Sequence, residues 1–378
     1  MRSISIPQLY SKLFQRLVQV LPEQCDSRIT NLVYLMMGII YSKTVQVEPL
    51  AAYVPIRAKK MSIARRLERF LANGEVRVRA WYEPVAKGLV KAASAIGEVH
   101  LIIDCTKVSF NHQLLLVALA YRRCALPIAW TWVPHKRGHS TVQQQLALLS
   151  YVRGLLPVNS KASLVGDCEF GHSPIIAQVR QWHWGYALRQ SGHQLAGLYQ
   201  GQQWQRLDEL LPQPGTFQWF GFVQLTAAHA QITHLFACWK RGEREPWLLA
   251  TNLTRPSEIL RLYNRRMWIE QLFSQLKGHG FDLESSHLRR FLHLSRLTLA
   301  VALLYVWLIA FGSTLVNDGL RSQVDRSNRR DLCLFRIAWD YLQQRLTWGD
   351  PFDISFIPIF GPLPAFSPAG YTLPKALS

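Results

Sequence analysis

Tyr263, Arg266, Glu270 and Lys277 follow one another at offsets 0, 3, 7 and 14. At 100° per residue a helix would carry them at about 0°, 300°, 340° and 320°, one narrow stripe. Leu262, Ile269, Leu272, Phe273 and Leu276 gather on the adjoining face, so one side can pack while its edge presents a phenol, a carboxylate and two cations. An acid between two cations suits a site for metal and phosphate. The same spacing also suits a surface Arg–Glu–Lys salt-bridge stripe, and the stripe alone does not choose.

Two further acids bear on that choice. Asp104 closes the apolar run VHLIID (99–104), and Asp167 closes ASLVGD (162–167). A carboxylate at the end of a buried strand needs a partner, because burial of an uncompensated charge is costly. Two such carboxylates at neighbouring strand ends can share divalent ions, whose charge offsets their repulsion. With Glu270 from a facing helix they would form an oxygen-rich site for two Mg²⁺ ions. Such a pair activates an attacking oxygen and stabilises a leaving one at phosphorus. Asp282 and Glu284 are rival third acids, but they lie past Gly278 and Gly280 and off the stripe.

The elements that must hold these residues can be read from the pattern. VHLIID, QLLLVALAY (113–121) and LPIAWTWVP (126–134) are apolar runs of strand length. HKRGHS forms a loop, and Ser140 with Gln143 matches a capping box opening the helix TVQQQLALLSYVRGLL. Then come the strand ASLVGD, the helix SPIIAQVRQW and the strand WGYALRQ, giving the order β-β-β-α-β-α-β. Residues 192–253 alternate over short runs broken by Pro-Gly and Arg-Gly, which indicates antiparallel strands. A helix starts near Pro256, suited to a first turn, and runs to the glycines at 278 and 280. A Pro-rich tail begins near Asp350.

Upstream, residues 1–95 are helical and basic. Arg57, Lys59, Lys60, Arg65, Arg66, Arg69, Arg77 and Arg79 crowd one stretch. Ile63, Leu67 and Phe70-Leu71 recur there at helical spacing, so one face can pack. The remainder is either a solvated basic face or a DNA-binding module. Lys and Arg total 43 against 24 Asp and Glu over 378 residues, a net charge of +19. That balance favours a polyanionic partner, nucleic acid or an anionic membrane. Six cysteines, at 25, 105, 124, 168, 238 and 333, show neither C-x-x-C nor zinc-finger spacing and read as free thiols in a reducing cytoplasm. No uninterrupted apolar stretch suggests a secretory signal at the N-terminus. The uncharged run Leu297–Val316 is long enough to span a bilayer, but a helix buried on all sides has the same composition. The expectation is a buried helix.

Tyr263-x2-Arg266-x3-Glu270-x6-Lys277 matches in full the Y-x2-R-x3-E-x6-K signature of the IS4-type insertion-sequence transposases. IDCTKVSF around Asp104 and GDCEFGH around Asp167 resemble the first and second acidic regions of that family, and PWLLATNL resembles a further family feature. The resemblance covers about residues 95 to 300. It implies an α/β protein with an RNase H-like catalytic core interrupted by a β-rich insertion; the helical N-terminal domain lies outside it and is read from helical spacing, charge and position. The expected divisions are 1–95 (helical, basic, DNA-binding), 96–191 (core, first part), 192–253 (insertion), 254–320 (core, second part, with the Glu helix) and 321–378 (C-terminal segment).

The resemblance further implies metal-dependent strand cleavage and strand transfer by cut-and-paste, through hairpinned ends. Asp104, Asp167 and Glu270 would bind two Mg²⁺, with Mn²⁺ as a substitute, and Tyr263, Arg266 and Lys277 would meet DNA phosphates. The partners would be double-stranded DNA with terminal inverted repeats and target DNA, engaged by a homodimer at the bacterial nucleoid in the cytoplasm, with no membrane. Trp204, Trp219, Trp239 and Trp247 are candidates to stack a flipped base, or the aromatic core of a small β unit. Cys168 departs from the family, where Arg is common, and leaves a local cation missing; Glu169 supports the site or merely adjoins it. His112, His135 and His139 read as loop or structural residues. The same three acids would also serve a nuclease of this fold without strand transfer. Two further readings are an inactive DNA-binding relative and a basic membrane protein anchored by 297–316.

Overall fold

The computed structural model describes residues 5–108, 112–134, 139–198, 203–210, 213–225, 231–326 and 332–363. Ser109 and Phe110 of the first acidic block, and His135, lie outside the described residues. The chain forms two compact units, one of Met1–Ala92 with Leu288–Ser378 and one of Ala93–His287.

The first unit is helical. It opens with α1 (Ser5–Val20), α2 (Asp26–Ser42), α3 (Val47–Ala51), α4 (Lys60–Ala72) and α5 (Val78–Ser94). Leu9, Leu13 and Leu17 recur every fourth residue in α1 and are wholly buried, as an amphipathic helix requires. In α4 the buried residues are Ile63, Ala64, Leu67, Phe70 and Leu71, the face expected from the spacing. Arg66 belongs partly to that packing. Its Nε donates to Asn31 Oδ1 at 2.6 Å, and its guanidinium lies 5.2 Å from the ring centre of Tyr34. Arg57, Lys59, Arg65, Arg69, Arg77 and Arg79 are exposed.

The second unit is built on one sheet, ten-stranded among the described residues, in the order β3-β2-β1-β4-β5-β10-β9-β8-β6-β7. Chain order runs β1 (Val99–Val108), β2 (His112–Tyr121), β3 (Cys124–Pro134), α6 (Val142–Leu155), β4 (Ala162–Gly166), α7 (Ser173–Gln181) and β5 (Gly185–Arg189). There follow β6 (Leu195–Leu198), β7 (Gln203–Arg206), β8 (Phe217–Leu225), β9 (Gln231–Cys238) and β10 (Trp247–Thr251). β1 is antiparallel to β2 and β2 to β3, whereas β4 is parallel to both β1 and β5. β10 joins β5 antiparallel, so the strands of residues 192–253 prolong the same sheet.

Across β10 the chain enters α8 (Pro256–Tyr263), a 3₁₀ turn (Asn264–Met267) and α9 (Trp268–Leu276). The expected single helix is therefore broken in the middle. Helical propensity favours continuity through NRRM, but propensity is a weak prior that tertiary packing overrides. The turn packs on β1 and β4, and α9 on β1, β2 and β3. The chain leaves α9 as expected at the glycines. A side chain at Gly280 would place its Cβ 2.1 Å from the Gln275 carbonyl oxygen, so only glycine closes this turn.

The expected capping box is displaced by one residue. Thr141, not Ser140, caps α6: its hydroxyl accepts from the Gln144 N–H at 3.2 Å, and Gln144 Oε1 accepts from the Thr141 N–H at 2.9 Å. Ser140 is engaged elsewhere, as described below.

The chain then returns to the helical unit through α10 (Phe291–Asn317) and α11 (Leu334–Trp348). Residues 288–320, assigned from sequence to the catalytic core, thus group with the N-terminal helices. α10 is long and apolar enough to cross a membrane by length and composition, yet 89% of its apolar window is buried within the protein. Even Arg296 on this helix is buried, donating to the carbonyl oxygens of Leu71 at 2.7 Å and Val76 at 3.1 Å.

Candidate active site

The site begins where β4 stops. β1 pairs with β4 only as far as Ile103 opposite Gly166, but with β2 it continues to Val108. Asp104 is therefore not at the end of its strand, as the run VHLIID suggests. It lies at the first position of β1 whose β4 neighbour has ended, on the face it shares with Ile102 and His100. Asp167 is the first residue after β4 and caps a 3₁₀ turn, Cys168–Phe170. Each carboxylate accepts from the N–H of the following residue: Asp104 from Cys105 at 2.7 Å and Asp167 from Cys168. Gly171 closes the second turn against β5, where a Cβ would fall 2.3 Å from the Arg189 carbonyl oxygen.

Glu270, in the first turn of α9, completes the group. The three acids converge on Arg266, which stands on the 3₁₀ turn. One terminal nitrogen, Nη2, donates to Asp104 Oδ2 and to Asp167 Oδ2, each at 3.1 Å. The other, Nη1, donates to Glu270 Oε1 at 2.8 Å. Arg266, for which the family resemblance implies a DNA-phosphate contact, here lies among the acids. Asp104 is 7% exposed, and burial pushes its carboxyl up to about 6, against the opposing pull of Arg266 and the Cys105 N–H.

Tyr263 is buried beside this group, its phenol pushed up by burial and by the neighbouring Asp167 charge, with Arg266 pulling the other way. Its ring meets Trp247 edge to face with centres 5.0 Å apart. Lys277 stands at the end of α9 and turns to Glu284, Nζ to Oε1 3.3 Å. The 3₁₀ turn breaks the straight stripe drawn from the spacing, and Lys277 lies beyond the last helical residue. Glu284, a rival acid by sequence, is thus the partner of Lys277.

The four tryptophans all have neighbours within the sheet and its hairpins. Trp247 carries the Lys240 ammonium 3.7 Å from its ring centre in addition to Tyr263. Trp239 donates from Nε1 to the Glu243 carbonyl at 3.0 Å. Trp219 meets His234 at 5.0 Å, and Trp204 pairs across from Gly197. Among the described residues, Phe217 and Phe222 of this region are exposed phenyl rings, at 70% and 72%. Sequence reading passed over them because an exposed and a buried phenylalanine look alike in an alternating run.

A second polar cluster was also hidden from sequence. Glu169 Oε1 accepts from the N–H of Ser140 at 2.7 Å and from its hydroxyl at 2.5 Å. Gln145 Nε2, fully buried, donates to Ser140 Oγ at 3.0 Å and to the Glu169 carbonyl at 3.3 Å. His139 lies 3.4 Å from Glu169. Glu169 therefore ties the entry of α6 to the turn carrying Asp167, and its charge adds to the rise at Asp104. Its only sequence signal was adjacency to Asp167. Cys168 and Arg189 line a cavity of about 270 Å³ with Gln190, His193 and Asp208. Burial pushes the Cys168 thiol up to about 11, which keeps it neutral.

Residues 98–307 match the family described as the transposase DDE domain. The chain belongs to that family. The matched segment contains Asp104, Asp167 and Glu270, together with the strands of the large sheet. No curated protein matches the chain. Among solved structures, it is similar to a piggyBac transposase synaptic complex with hairpin DNA, seen by cryo-EM. That likeness has a TM-score of 0.36 and 9% identity, and covers 94% of this chain and 84% of the other.

Among the described residues, no three His, Cys, Asp or Glu side chains are grouped so as to hold one metal ion as they stand. At this site the Arg266 guanidinium lies between the three carboxylates, bonded to each. In donor chemistry the acids nevertheless fit a hard divalent ion: every ligand is a carboxylate oxygen. They also already point at a positive charge.

Proposed function

We propose that this transposase cuts and joins DNA through Asp104, Asp167 and Glu270, moving an insertion sequence by cut-and-paste. The observation that carries the reading is the convergence of three carboxylates, from β1, the end of β4 and α9, on one cationic centre. The sheet order β3-β2-β1-β4-β5, with β4 parallel to its neighbours, supports an RNase H-like core beneath them. The full Tyr263–Arg266–Glu270–Lys277 spacing supports the IS4-type assignment.

Asp104, Asp167 and Glu270 would hold Mg²⁺ or Mn²⁺. Bound there, a divalent ion supplies Lewis acidity to the scissile phosphate and makes the attacking oxygen a better nucleophile. The chain's own residues do the rest. Cys105 and Cys168 N–H groups fix the two aspartates at one oxygen each, so that the other, which here accepts from Arg266, faces the reaction. Burial of Asp104 keeps bulk water from that carboxylate. Arg266 and Lys277 hold phosphates of the bound strand, Arg266 through its fork and Lys277 as a point charge. Tyr263 orients the Arg266 turn from beneath by packing on Trp247.

The net charge of +19 supports double-stranded DNA as partner, both transposon ends with inverted repeats and target. The exposed arginines of α4 and its flanks would serve end recognition. A homodimer on DNA and hairpinned ends belong to the same proposal, as does action at the nucleoid. The test is Mg²⁺-dependent cleavage of a duplex carrying the DNA that flanks the gene, wild type beside Glu270→Gln. Cuts at defined ends by wild type alone would support the reading; cutting by both proteins would overturn the assigned site.

A further inference from the structure

Arg266 makes three charged hydrogen bonds, yet it is not at rest in them. Its side chain is 17% exposed, and its Nε–H is buried without a partner. A buried donor left unmade costs on the order of 1–3 kcal/mol, which another arrangement of the guanidinium would recover. The residue also stands on a 3₁₀ turn between two α-helices, a kind of segment that often marks a hinge. Finally, the guanidinium lies between the oxygens that a divalent ion would need. Two cations a few ångströms apart in a partly buried site repel strongly, so both cannot occupy it.

Arg266 cannot simply leave. A guanidinium stripped of its carboxylates in this setting pays for desolvation without a counter-charge. A DNA phosphate offers that counter-charge, with geometry that suits the planar fork. We propose that Arg266 is a counter-ion latch: without DNA it closes the acid cluster to divalent metal, and a DNA phosphate draws it away and admits the ion. DNA and metal then bind with positive coupling, and by reciprocity each strengthens the other. The inference rests on reading the three acids as the metal site.

The test measures Mn²⁺ affinity of the full chain by titration calorimetry, checked by the electron paramagnetic resonance of free Mn²⁺. Four proteins are compared: wild type, Arg266→Gln, Arg265→Gln and the double variant Asp104→Asn/Asp167→Asn. Arg265→Gln removes the same charge one residue away without touching the acids. Without DNA, Arg266→Gln should bind Mn²⁺ about tenfold tighter than wild type, within the usual range for coupled sites. Arg265→Gln should stay within about threefold of wild type. A short duplex should tighten Mn²⁺ binding to wild type by a comparable factor, after subtracting the ion taken up by the duplex with the double variant. The wild-type arm stands even if a substitution prevents folding.

Equal Mn²⁺ affinity in wild type and Arg266→Gln, with loss only in the double variant, would sink the latch and leave the active site intact. No effect of duplex on the wild type would also sink it. If the double variant binds Mn²⁺ as wild type does, or no protein binds it, the ion is not held by these acids and the functional reading fails with the latch.

Discussion

The carboxylate of Asp104 and the guanidinium of Arg266, separated by 162 positions in the chain, meet at 3.1 Å, and the same Nη2 also reaches Asp167. This one nitrogen joins β1, the end of β4 and the turn before α9. The consequences reach stability, metal binding and DNA contact, and each can be measured.

Asp104 makes stability depend on pH in a defined window. Its carboxyl is pushed up to about 6 in the folded chain, against 3.8 for an aspartate free in water. The folded state therefore holds more protons than the unfolded state between about pH 4 and 6, and stability falls as pH rises through that window. The difference corresponds to at most about 3 kcal/mol. Asp104→Asn should flatten this slope in urea denaturation with EDTA present; an unchanged slope would assign it to another group.

Glu270→Gln should lower cleavage by about a hundredfold or more, the scale seen when an electrostatic contact to a transition state is removed. Gel-shift affinity for element ends should stay near that of wild type. Loss of binding and cleavage together would mean that Glu270 holds the DNA interface rather than the reaction.

Lys277 is paired with Glu284, and both side chains are partly exposed. An exposed pair contributes about 0–1 kcal/mol, so Lys277→Ala should barely move the melting temperature. It should weaken DNA affinity or end processing. A drop of many degrees in melting would instead mark the residue as structural.

Ser140 and Thr141 separate two kinds of hydrogen bond in adjacent residues. Ser140→Ala deletes a hydroxyl given to the carboxylate of Glu169, a charged bond worth about 1.5–3 kcal/mol. Thr141→Ala removes a helix cap, worth about 1 kcal/mol. Chemical denaturation should rank Ser140→Ala as the more damaging, and the reverse order would show that the Glu169 link contributes less than the cap.

DNA affinity should fall steeply with salt, because each phosphate neutralised releases counterions. Replacing Arg69 and Arg77, both exposed, by alanine should flatten the slope of log affinity against log salt. An unaltered slope would place the DNA path elsewhere on the chain.

Much of this was present in local sequence. The strands around Asp104 and Asp167, the packed face of α4, the start of α8 at Pro256 and the end of α9 at the glycines all follow from short-range pattern and turn chemistry. The three acids could be named because apolar strands ending near carboxylates, and the Tyr263–Lys277 spacing, are local facts. What could not be read was everything that depends on distant segments meeting. The position of Arg266 among its acids is fixed by contacts across 162 and 99 positions, and helical periodicity carries no information about them. The 3₁₀ break at Asn264–Met267 arises from packing on β1 and β4, which outweighs a local preference for α-helix. Glu169 becomes a link to Ser140 only once β4 brings its turn to the head of α6. α10 joins the N-terminal helices because a largely apolar helix must be buried, and sequence shows the need for burial but not which surface provides it.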